Sequence, residues 1–157
     1  MADFGILLLR LSGAYLALGH GWPKIQTVWS GSSGFVDGVA NLGFPAPWLF
    51  AWAAALAETV GGLLVAFGLL TLPAAAFAAF TMLVAAFLRH RAVDHFLSFI
   101  GWSPQDPELL RSWGNPELAV VYLLIFLALI LLGPGRLSLD ARIKTPVWLS
   151  GPRRKGR

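Results

Sequence analysis

Residues 47–70 read PWLFAWAAALAETVGGLLVAFGLL, and residues 73–88 read PAAAFAAFTMLVAAFL. Only Thr71 and Leu72 part the two apolar runs. Each run has roughly the length, about 17–25 residues, that crosses a bilayer as a helix. So short a connection leaves an antiparallel hairpin as the geometry. Along the first run Ala53, Ala57 and Gly61 recur every four residues. Small residues at that spacing let a neighbouring helix come close where burial from water gives no drive; the plainer reading is that alanine is abundant here. Glu58 is the single charge in the hairpin.

Two further apolar runs flank it. One spans about Phe4 to Gly21, closed by the interface aromatic Trp22 and the helix breaker Pro23. With Arg10 in its middle and no basic residue before it, it reads as a retained helix rather than a signal peptide. The other begins at Asn115-Pro116-Glu117, runs from 117 to Leu132 and stops at Gly133-Pro134-Gly135. Between the first two spans, Ser33 can cap a short helix carrying Phe35, Val39 and Leu42, which Gly43 and Pro45 end. It reads as an amphipathic helix at the membrane surface or in the bundle mouth. The 89–115 loop holds an apolar piece, Phe96 to Trp102, then a piece with Pro, Asp and Glu.

Composition agrees. The chain has 157 residues, 57% hydrophobic and 13% charged, with mean hydropathy +0.68. A soluble domain carries about 25% charged residues. The expected fold class is all-α: an integral membrane four-helix bundle over residues 1–135 with short interfacial helices in two outward-facing loops. Residues 136–157 form a basic tail with seven basic residues and one acidic residue, a net +6. Both long loops are nearly neutral, so the positive-inside rule places the tail in the cytoplasm and four spans return the N-terminus there. The basic pI reflects this membrane edge and not nucleic-acid binding. The absence of cysteine excludes thiolate catalysis, disulfide exchange and cysteine-ligated clusters.

Charges inside spans are costly and call for partners. By helical rise, Arg10 lies roughly 9 Å and Glu58 roughly 18 Å from the cytoplasmic end of their spans. An extended arginine covers much of that difference, so an Arg10–Glu58 ion pair is expected. It reads either as a staple between helices or as a proton or quinone-carbonyl site. His20 and Lys24 stand at the outward end of the first span, four residues apart and on one face if the helix continues through Pro23. His20 can donate to a quinone oxygen and exchange a proton near neutral pH; the alternative is an interface histidine beside a snorkelling lysine. His90 and Asp94 share a metal-like spacing, but with no second cluster no metal site is expected. Ser138-Leu139-Asp140 reads as a polar exit from the membrane. There is no phosphate loop and no nucleophile elbow.

Taken in order, several pieces resemble the DoxX family of small prokaryotic membrane proteins. They are Leu8-Leu9-Arg10-Leu11, His20-Gly21 with Lys24, Leu42-Gly43-Phe44-Pro45, Glu58 with Gly61-Gly62, and Gly68-Leu69-Leu70-Thr71. Pro116-Glu117-Leu118-Ala119 and Gly133-Pro134-Gly135 before Ser138-Leu139-Asp140 complete the set. The resemblance covers about residues 4–142. It implies a four-helix membrane bundle associated with oxidoreductase systems, among them the membrane subunit of a thiosulfate:quinone oxidoreductase. The reading that follows is a multi-pass protein of a prokaryotic inner membrane, acting as a quinone-linked redox subunit without a covalent cofactor. Arg10, His20, Lys24 and Glu58 would bind the quinone, His20 and Glu58 would serve the chemistry, and a partner redox protein would complete the path. The rivals are a non-catalytic membrane scaffold for a larger complex and a small-solute or proton transporter; the lack of an inverted repeat speaks against the latter.

Overall fold

A computed structural model describes residues 1–152. In chain order the helices are α1 (Ala2–Trp29), α2 (Ser33–Asn41), α3 (Pro47–Phe67), α4 (Thr71–Arg89), α5 (Ala92–Phe99), α6 (Pro107–Trp113), α7 (Glu117–Leu132), α8 (Leu139–Arg142) and α9 (Val147–Ser150). The described residues contain no strand. Helices α1, α3 and α4 are each long and apolar enough to cross a membrane, and α6 with α7, bent by 49°, passes the same test when the two are taken as one span. The bend falls where Asn115 Oδ1 accepts the Glu117 N–H at 2.8 Å. That bond satisfies an amide the helix itself leaves open. The architecture is a helical membrane bundle.

The core lies between α4 and α7. Ala75, Ala78, Ala79 and Met82 meet Tyr122, Phe126 and Leu129, and the Tyr122 and Phe126 rings stack with centroids 6.0 Å apart. The tightest helix contact is elsewhere, between α1 and α3. A Cβ added to Gly13 would come within 2.5 Å of the Gly62 carbonyl oxygen, and one on Gly62 equally near that of Gly13. The two backbones therefore touch, as small residues permit. The Ala53–Ala57–Gly61 stripe divides instead. Gly61 faces α4, where a Cβ added to it would meet the Ala74 oxygen at 3.4 Å, whereas Ala53 and Ala57 line a cavity.

Helix α1 does not close at Trp22-Pro23 but runs on to Trp29. Proline removes one N–H and crowds the preceding turn. A π-helical turn, Ala17–Gly21, stands immediately before it and widens the helix where the ring needs room. Helix α4 begins at Thr71 rather than Pro73, because Gly68 and Leu70 both adopt left-handed backbone and complete the hairpin turn early.

The expected Arg10–Glu58 ion pair is not formed. Arg10, 2% exposed, donates from Nε to the Val65 oxygen at 3.0 Å, from Nη2 to Ala66 at 2.7 Å, and from Nη1 to Pro134 at 3.1 Å and Leu137 at 2.9 Å. Val65 and Ala66 belong to the last turn of α3, where a cation is favoured; the Val65 oxygen also accepts the Gly68 N–H at 3.0 Å. Gly68 leaves the space, since a Cβ there would lie 2.6 Å from Arg10 Cζ. Ser138-Leu139-Asp140 is likewise no mere exit. Fully buried Asp140 accepts the Leu70 and Thr71 amides, each at 2.9 Å, and the Thr71 hydroxyl at 2.7 Å. It caps α4 from across the chain. Residues 136–152 are thus part of the bundle end, and the basic run Arg153 to Arg157 lies outside the described residues.

Candidate functional site

Toward the other end, α2, α3 and α4 line a half-open cavity of about 600 Å³. Its walls are aromatic and small: Phe35, Phe44, Phe50, Phe77 and Phe80 with Ala53 and Ala57. Helix α2 positions Phe35 and Val39 as the 3.6-residue period predicts, and they pack with Val28 and Ala51. The polar lining is confined to Lys24, Glu58, Thr81, Arg89 and His90.

Glu58 is the deepest of these, 1% exposed in the middle of α3. Lys24 Nζ donates to Glu58 Oε1 and stands 5.3 Å from the centre of the Phe35 ring. The continuation of α1 past Pro23 puts Lys24 within reach, so the partner of Glu58 is Lys24 and not Arg10. Glu58 Oε2 is buried without a hydrogen-bond partner among the described residues. An ionised carboxylate oxygen in apolar surroundings is costly to leave alone.

Irregular helix gathers here. The π turns are Ala17–Gly21 just before Lys24, Ala57–Gly61 containing Glu58, and Val84–Arg89 ending beside His90. Such turns occur frequently at functional sites, because they re-aim side chains at some cost to helical bonding. Spacing alone does not reveal them, and nothing in the apolar periodicity marks them.

Of the four residues expected at the site, the structure brings Lys24 and Glu58 together. Arg10 is taken up by four carbonyls near the turn between α3 and α4. His20 packs edge-on to Tyr122, ring centroids 6.3 Å apart, and is not part of the cavity lining. Two cavity residues, Arg89 and His90, come from the end of α4. Arg89 Nη1 donates to the Trp113 carbonyl at 3.2 Å, and His90 Nδ1 lies 2.7 Å from the same oxygen. Asp94, spaced for a metal pair with His90, binds Arg91 at 2.8 Å instead.

The model of the DoxX family matches residues 5–91, which hold α1 to α4 and every polar residue of the cavity. The chain belongs to the DoxX family. Two Escherichia coli (strain K12) proteins are similar to this DoxX protein along nearly their whole length. Inner membrane protein YphA is 31% identical over 146 residues, 89% of this chain and 95% of that protein. Inner membrane protein YqjF is 30% identical over 148 residues, 94% and 98% respectively. No solved structure matches.

Proposed function

We propose that this DoxX protein is an inner-membrane subunit of a quinone-linked redox system, binding the quinone ring in the α2–α3–α4 cavity and exchanging electrons with a partner redox protein. One observation carries the reading: a carboxylate with a single ion-pair partner and a second, unpartnered oxygen is buried in a predominantly apolar cavity. The residues fit such a group. Small-molecule sites run from about 300 to 1,000 Å³ and combine apolar walls with few polar groups. The flat phenylalanine faces suit a ring, and the Lys24 ammonium, with one N–H on Glu58, keeps others for a ring carbonyl.

A bound quinone would supply the two-electron chemistry that the side chains lack. The chain's own residues bind, orient and exclude. Lys24 compensates the charge of Glu58, which would otherwise be prohibitive at this depth. Glu58 Oε2 can accept a hydrogen bond or hold a proton next to the ring. Helix α2 supplies one wall, through Phe35 and Val39. The same reading places both chain ends in the cytoplasm, on the strength of the +6 carboxy-terminal segment.

The test is equilibrium binding of a short-chain quinone to purified protein. Lys24→Met and the double change Lys24→Met with Glu58→Gln are expected to weaken binding by about tenfold or more, a loss of at least about 1.4 kcal/mol. Exposed Arg111, changed to alanine, should leave it unchanged. Undiminished binding in both cavity variants, or none in the parent, favours the scaffold role instead.

A further inference from the structure

Resting on the ring-binding reading above, the open side of the cavity bears on the shape of its ligand. Two of the phenylalanines that line it, Phe77 and Phe80, are also exposed, at 66% and 56%. Phe80 is the midpoint of α4, nine residues from either end of Thr71–Arg89, and so about 14 Å deep from each side. Residues 71–88 carry no charge. At that depth in a bilayer, an exposed ring meets hydrocarbon. The aromatic wall of the cavity is therefore continuous with the lipid-facing surface of α4. The buried ion pair stands at the same level. Gly61 faces Ala74, and three residues on in each of these antiparallel helices come Glu58 and Phe77.

The edge contributed by α2 is bare. That helix is seated through Phe35 and Val39, which pack with Val28 of α1 and Ala51 of α3. Its other cavity residues are Gly34, Gly38 and Leu42, which recur every four positions and share one face. A Cβ added to Gly34 or Gly38 meets nothing within 4 Å, and neither has a positive φ. Neither turn geometry nor close packing therefore calls for glycine at these two places. Their effect is to leave the cavity side of α2 without side chains until Leu42. Glu58 Oε2, buried and without a hydrogen-bond partner among the described residues, marks the polar end of the same cavity. A space that joins a buried ion pair to lipid fits a ligand with a polar ring and an apolar tail. We propose that the cavity takes a membrane-dissolved quinone with a long apolar tail, which enters sideways from the bilayer. Its ring sits at Lys24 and Glu58, and its tail lies in the slot between Gly34 and Gly38 of α2 and Phe77 and Phe80 of α4. The two glycines thereby set specificity, because only a tailed ligand gains from the space they leave.

The experiment titrates two quinones of one ring, with and without a decyl tail, into purified protein in lipid nanodiscs. The quantity read is the ratio of the two affinities, compared between proteins so that partition into the lipid cancels. Gly34→Leu and Gly38→Leu fill the bare row, and leucine favours helix over glycine. Each is expected to lower the tailed-to-tailless ratio by about tenfold or more. Gly5→Leu, at an exposed glycine of α1 with nothing near its Cβ, should leave the ratio unchanged. In the parent protein, a photoreactive diazirine at the end of the tail should label residues 34–38 or 77–80, and excess unlabelled tailed quinone should suppress the label. An unchanged ratio in both leucine variants overturns the inference and leaves the ring-binding reading standing. So does a label confined to the outward rim at Arg89 and His90. If neither quinone binds the parent, the ring-binding reading falls and this inference falls with it. Should the leucine variants fail to fold, the label on the parent decides.

Discussion

At the scale of single residues, the pairing of charges separates two roles. Arg10 satisfies four carbonyls, and Glu58 is paired with Lys24. Removing one partner of a buried pair costs about 3–5 kcal/mol, and Lys24, with 28% of its side chain exposed, puts Glu58→Gln near the lower end. The double change Lys24→Met with Glu58→Gln should recover much of that loss in thermal unfolding in detergent. Arg10→Met should cost on the order of 3–5 kcal/mol, since buried carbonyls lose their donor, and adding Glu58→Gln should not rescue it. A non-additive Arg10–Glu58 cycle would contradict the geometry. The presence of partners for these charges was legible in the sequence, because the membrane permits no lone charge. Which partner each took was not. The carbonyls that hold Arg10 belong to backbone, and backbone acceptors leave no mark on residue identity.

At the scale of helices, apolar length and turn residues foretold the hairpin, the short α2 and the start of the last span. They did not foretell where helices touch. The Gly13–Gly62 contact needs two glycines 49 positions apart to face each other, and only the assembled bundle says that they do. Gly13→Ala or Gly62→Ala forces α1 and α3 apart, and overpacking of this kind costs about 1–3 kcal/mol. Gly5, beside which a Cβ meets nothing within 4 Å, serves as the control, and Gly5→Ala should unfold no earlier than the parent. The continuation through Pro23 was the other hidden element. A proline normally reads as a stop, and a wider turn upstream of it has no sequence signature. That continuation carries Lys24 to Glu58, so the candidate site itself depended on it.

At the scale of the whole molecule, the topology proposed above has four crossings and so puts both ends on one side. A periplasm-active reporter inserted at Ser33 and a cytoplasm-active one fused after the last residue are expected both to be functional, and the converse pair both silent. The same end of the bundle joins the beginning of the chain to its close: Arg10 donates to Pro134, 124 positions on, and Leu70 to Asp140, 70 positions on. During synthesis, then, the first three helices enter the membrane well before the groups that complete them exist. Until residues 134–140 emerge, a buried guanidinium lacks two of its acceptors and the start of α4 lacks its cap. A chain halted at Leu132 should therefore be cleared faster than the full chain in a pulse–chase experiment, although it contains every apolar run. The bundle is thus closed last by its final turn, and a prematurely ended product would expose an unsatisfied charge.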